Sequence, residues 1–260
     1  GLEIAEVVDK ESLRVYIDGL PDNARVETSH YVAMRAASRV APIALRFFAE
    51  NAPVGDDELT ALAILGAITI PEVAFLAPTS GIAARAAAYE AYSAASRASS
   101  SGTSAAARAA RASSAAVASV AASRSSSASA AFRSEGVAGF MIWDKIRTDL
   151  KRTDRKTPHP LWSDDDMPQH IARDWVSACK AFDADENDWR FWIAFYNRLL
   201  DGKNIHADLL APILSKLTKE DWLGDPALVT PLFDDVLAVY EAEDVDELIT
   251  ALKNSIELLD

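Results

Sequence analysis

The chain is poor in the residues that make cross-links and tight turns. Its 260 residues hold one cysteine, Cys179, which excludes an internal disulfide and a cysteine-rich zinc site. Ten glycines and eleven prolines are too few for an all-β fold with its many turns. No stretch alternates apolar and polar residues as strands do. Long apolar runs are scarce too. The most hydrophobic segment, Leu59 to Leu76, is interrupted by Pro71 and Glu72, and neither piece reaches the ~20 residues of a spanning helix. A short helix that is apolar all round belongs inside protein, so membrane insertion is disfavoured. The first residues show no basic and apolar leader pattern. With one free thiol, the expected compartment is the reducing cytoplasm.

Positive charge is the next shortage. The net charge is −13, with 26 Lys and Arg against 39 Asp and Glu. The distribution is uneven: residues 1–81 carry −6, residues 82–133 carry +5 and residues 134–260 carry −12. An acidic surface repels phosphate, which argues against a nucleic-acid partner. The basic block holds six arginines (85, 97, 108, 111, 124, 133) that form no stripe at helical spacing. It also lacks aromatics interleaved for base stacking.

What that block does hold is alanine and serine, 37 of its 52 residues. Alanine is the best helix former, so 82–133 reads as helix rather than as a disordered linker. It forms either a hairpin turning near Gly102 or one long rod, and small side chains would let a partner helix lie close. Before it, the sequence predicts a short helix from Lys10 stopped by Gly19, then a helix from Ala24 to Glu50 that Pro42 should kink or split. Arg25, Arg35, Arg39 and Arg46 are assigned to the polar side of that helix. Gly55-Asp56-Asp57-Glu58 reads as the entrance to the hydrophobic segment, itself broken at Pro71.

Beyond the block, Val137 to Leu150 is amphipathic through Phe140, Trp143, Ile146 and Leu150. A basic loop, Lys151 to Lys156, leads to Pro158-His159-Pro160-Leu161-Trp162, a connector tethered by its Trp. Ile171, Trp175, Cys179 and Phe182 mark one helix face. Trp189, Trp192, Ile193, Tyr196 and Leu200 mark another, with Phe191 and Phe195 on a second face and Gly202 as the C-cap. Asp225-Pro226 opens a helix carrying Leu228, Val229, Leu232, Phe233, Val236, Leu237 and Tyr240. Asp244 is read as the cap of a last helix with Val245, Leu248, Ile249, Leu252, Ile256 and Leu259. The fold class is therefore all-α: a helical bundle with an Ala/Ser-rich long helix or hairpin in the middle and a compact C-terminal bundle of about five helices. The segments are 1–81, 82–150 and 158–260.

Chemistry is hard to find. Asp164-Asp165-Asp166 with His170 and Asp174 is the best metal or hydrolase candidate, but it also reads as a helix entrance and lacks further His or Cys ligands. His206-Ala207-Asp208 is a similar fragment. Asp183, Asp185 and Asn187 have calcium-loop spacing, yet the sixth and twelfth loop positions hold Asp188 and Ala194 instead of Gly and Glu. Cys179 and His30 read as packed side chains. No nucleophile elbow and no phosphate-cradling glycine loop is present. No catalytic, metal-binding or cofactor residue is assigned, and no small-molecule ligand is inferred. The expected function is a non-catalytic, cytoplasmic interaction module that binds a protein partner or itself. A membrane-active helical effector and a metal-dependent hydrolase around His170 are the alternatives.

Overall fold

A computed structural model describes residues 2–50, 60–77, 131–132, 134–135, 138–139, 141–162 and 167–257. The Ala/Ser block falls almost wholly outside these residues, as do the entrance placed at Gly55 to Glu58 and the Asp164–Asp166 run. The described residues are helical with no strand, so the chain is all-α as its sequence predicts. Among them, no helix is long and apolar enough to cross a membrane.

A 3₁₀ turn (Ile4–Glu6) precedes α1 (Lys10–Asp18), which Asp9 caps by accepting from Ser12 N at 2.8 Å and Gly19 ends. The long helix α2 (Asp22–Glu50) is buried almost continuously from Thr28 to Leu45. Helix α3 (Ala61–Leu76) is buried on every side from Ala61 to Phe75, with Thr60 as its cap through a 3.2 Å bond from Ala63 N. The sequence had assigned the entrance to Gly55–Glu58; the side chain that caps α3 is Thr60. Then follow α4 (Met141–Lys151), α5 (Gln169–Ala184), α6 (Arg190–Asp201), α7 (Ala207–Leu214), α8 (Lys219–Leu223), α9 (Pro226–Val229), a 3₁₀ turn (Thr230–Phe233) and α10 (Asp234–Glu257).

Helix α2 is the axis. It packs along α5 and α3 and touches α4, while α7 and α8 lie on α3 and α10 lies on α6. One hydrophobic core runs through all of them, from Val7 to Tyr240. Gly66 lets α8 come close: a Cβ there would stand 2.6 Å from the Trp222 ring. Helix α6 is buried on two faces as expected, Trp192 and Tyr196 on one and Phe191 and Phe195 on the other, with Phe191 stacked 4.4 Å from Phe233.

Three expected helix boundaries do not occur. Pro42 sits inside continuous α2, and Pro71 inside continuous α3. A proline has no N–H and frees the carbonyl four residues back. For Pro42 that carbonyl belongs to Ser38, and Tyr196 Oη donates to it at 2.6 Å. A tertiary hydrogen bond thus replaces the missing helical one. Asp244 does not start a helix either, since α10 runs through it. Conversely, the helix expected from Pro226 to Tyr240 is three pieces, and Leu228 and Leu232 are exposed rather than in the core.

Candidate functional site

Two features stand out above the packing. The first is a buried ionic cluster. Arg35 and Arg39, one turn apart on α2, lie inside the bundle and not on its polar side, where the sequence suggested they would be. Both reach Asp149 of α4, which is 1% exposed. Arg39 donates through Nη1 to Oδ2 at 2.6 Å and through Nη2 to Oδ1 at 3.0 Å, while Arg35 Nε meets Oδ1 at 3.0 Å. Burial works against the Asp149 charge, but the two guanidiniums outweigh it and hold its pKa below the usual carboxylate range.

The remaining guanidinium protons fasten the connector. Arg39 Nε donates to Leu161 O at 2.7 Å, and Arg35 donates through Nη1 to His159 O at 2.9 Å and through Nη2 to Pro160 O. Leu161 N in turn donates to Leu199 O at 3.2 Å. The planar fork of arginine suits such multiple bonding, which a lysine could not reproduce. Leu161 and Trp162 are buried, so the connector is tethered as predicted. Glu72 of α3 completes the cluster, accepting from Ser38 Oγ at 3.2 Å. Burial pushes its pKa up to about 7, against the pull of Arg35 and the Ser38 hydrogen bond. Four helices and the connector are thereby locked together. The cluster is spent on architecture, since the described protein groups take up most of its donors and acceptors.

The second feature is the distal half of α10. Its near face is anchored. Val236, Leu237 and Tyr240 are buried, and Tyr240 Oη donates to Ile205 O at 2.6 Å. Glu243 takes Arg198 and lies 2.7 Å from His206 Nε2. Lys203 Nζ holds Asp244 at 3.0 Å and Glu247 at 2.7 Å. At 3.6 residues per turn, Val245, Leu248 and Ile249 point roughly 140°, 80° and 180° round the helix from Tyr240. They are 54%, 70% and 45% exposed. The sequence continues this spacing at Leu252 and Ile256. The helix therefore fastens one face to the body and offers a second, apolar one.

The sequence candidates disperse. Asp174 accepts from Arg46 Nη1 at 2.8 Å and is buried on α5. Asp185 accepts from Asn187 N at 2.9 Å, closing a turn. His206 caps nothing with its side chain, which is turned to Glu243, and its backbone is left-handed at φ 52°. Cys179 is half-buried, and burial pushes its thiol up to about 11, far from a reactive thiolate. Among the described residues no group of three or more His, Cys, Asp or Glu could hold a metal ion. The arginine cluster was missed because four Arg spaced along a helix resemble a solvated face. The signal available was that Arg35 and Arg39 fall among Met34, Ala36, Ala37 and Val40, with no polar run around them. A scan against protein-family models and searches of curated proteins and of solved structures all return no match to the chain.

Proposed function

We propose that this protein is a non-catalytic helical interaction module that joins a second copy of itself through the distal half of α10. The observation that carries this reading is the exposed run Val245, Leu248 and Ile249 on a helix already anchored by its other face. Each such side chain gains up to about 1.5–3 kcal/mol when fully buried. Association costs at least ~4 kcal/mol in lost freedom, so a paired stripe supports contact of roughly micromolar strength. Self-pairing is favoured over a basic partner because the three exposed positions carry no charge. The acids Glu243, Asp244 and Glu247 are already engaged by Arg198 and Lys203. A reducing, cytoplasmic setting fits the half-buried free thiol of Cys179.

The test is sedimentation of the full chain from about 1 to about 200 µM, a span that brackets micromolar affinity. A concentration-dependent dimer is expected, abolished by Leu248→Glu with no loss of helicity. A monomer throughout, or a dimer indifferent to Leu248→Glu, would sink the reading.

A further inference from the structure

A small cavity lies beside the ionic cluster, between α2, the last turn of α3, the connector and the end of α6. Its volume is about 40 Å³, and its wall includes Tyr31, Arg35, Glu72 and Arg155. A water needs roughly 10–15 Å³ on this measure, so the space takes about three to four atoms of that size. Tyr31 and Arg155 on its wall each carry a buried polar atom that is unspent. Tyr31 is 2% exposed, and its hydroxyl has no hydrogen-bond partner among the described residues. Arg155 gives Nη1 to Thr28 Oγ1 at 2.8 Å, but its buried Nε has no partner among the described residues. Buried donors left unpaired cost about 1–3 kcal/mol each, and a native interior rarely keeps two beside one cavity without something to satisfy them.

We propose that this cavity is a binding site for a small planar oxyanion, such as a carboxylate of acetate size. Tyr31 Oη and the Arg155 guanidinium are its donors, with Glu72 a third once it carries a proton. The charges around the cavity decide the sign of the ligand. Arg39 and Asp149 offset one another, and Arg198 and Lys203 on the far wall are taken by Glu243, Asp244 and Glu247. His159 Nε2 is turned to Asp154, 3.2 Å away. That leaves Arg35 and Arg155 against Glu72 alone, a surplus of positive charge whether or not Glu72 is ionised. The two guanidiniums also flank the Tyr31 ring, 5.6 and 5.9 Å from its centroid. Burial pushes the Tyr31 hydroxyl up to about 12, so it keeps its proton and donates.

The groups acting on Glu72 are Tyr31, Arg35, Ser38 and Arg39 from α2, Asp149 from α4 and Tyr196 from α6, and Arg155 of the basic loop shares the cavity wall with it. Of these only Glu72 titrates near neutrality, at about 7. An ionised Glu72 repels the anion and a protonated one donates to it. Binding is therefore tighter below pH 7, and above it each anion bound draws one proton from solvent onto Glu72.

The test is calorimetric titration of the full chain with sodium acetate, and separately sodium nitrate, at pH 6 and pH 8 with chloride holding the ionic strength. Saturable one-to-one binding is expected, about tenfold tighter at pH 6, with proton uptake at pH 8. Tyr31→Phe, which keeps the ring, weakens it at least fivefold, and Glu72→Gln removes the pH difference. Heat that scales with salt and is the same for chloride, or unchanged binding by Tyr31→Phe, overturns the proposal. Should that variant fail to fold, a crystal grown in acetate decides. A planar anion against Tyr31 and Arg155 supports the site, and separate waters there overturn it. Neither result depends on the oligomeric state, so this site and the α10 interface fail independently.

Discussion

Glu72 shows how one buried side chain can tie stability to pH. Its folded pKa, about 7, lies above the 4.5 of a free carboxyl. Below pH 4.5 both folded and unfolded chains hold the proton, and the group contributes nothing to the pH dependence. As pH rises from there to about 7, the unfolded chain releases the proton first, so stability falls, and above 7 the loss is complete. At 1.36 kcal/mol per unit the whole effect is roughly 3 kcal/mol. Asp149 has the opposite sign, its lowered pKa adding stability that is lost only as pH falls through the acid range. A difference experiment separates the two. Glu72→Gln should match the parent near pH 4 and exceed it at pH 8 by a few kcal/mol in urea melts. Parallel curves for the two proteins would show that Glu72 is not buried as described.

Helix α2 is continuous because another element supplies what Pro42 removes. If Tyr196 Oη is the substitute donor for Ser38 O, Tyr196→Phe leaves a buried carbonyl unpaired and costs about 1–3 kcal/mol. Pro42→Ala restores the backbone N–H, so the same Tyr196→Phe change should cost much less in that background. A double-mutant cycle read by urea unfolding gives the coupling directly, and additive costs would refute the exchange. The same logic explains how far the sequence could be read. Caps are local chemistry, so Gly19, Gly202 and the Asp225-Pro226 start are legible from neighbouring residues. Two-sided burial of α6 was legible from the placing of Trp192, Tyr196, Phe191 and Phe195. The survival of Pro42 and Pro71 inside helices was not, because what surrounds them comes from residues far along the chain. Nor was the burial of Arg35 and Arg39, whose counter-charge lies 114 and 110 residues away in Asp149. The exposed stripe of α10 was visible as a periodic pattern, but periodicity alone cannot say whether a stripe meets a core or solvent.

For the molecule as a whole, the ionic cluster decides whether the chain unfolds in parts. Arg35 and Arg39 come from the segment before residue 82, Asp149 from the stretch that follows the Ala/Ser block, and the Leu161 carbonyl and Tyr196 from beyond residue 158. They meet inside one continuous core. Loss of either of the first two leaves charge stranded in the interior, and loss of the third strips the guanidiniums of their carbonyl acceptors. Removing one partner of such a buried pair typically costs 3–5 kcal/mol, because the remaining charges stay desolvated. Asp149→Asn leaves two guanidiniums facing an amide, and the penalty falls on contacts shared by α2, α4 and the connector. Segment-resolved hydrogen exchange in rising urea is the measurement, since it assigns an opening free energy to each helix separately. In the parent, α2 through α6 should converge on one global opening. In Asp149→Asn, the protection of α3 and α6 should drop by the same amount as that of α4, although neither contains the substitution. A drop confined to α4 would mean that the helices open as independent units and that the cluster merely decorates their interface.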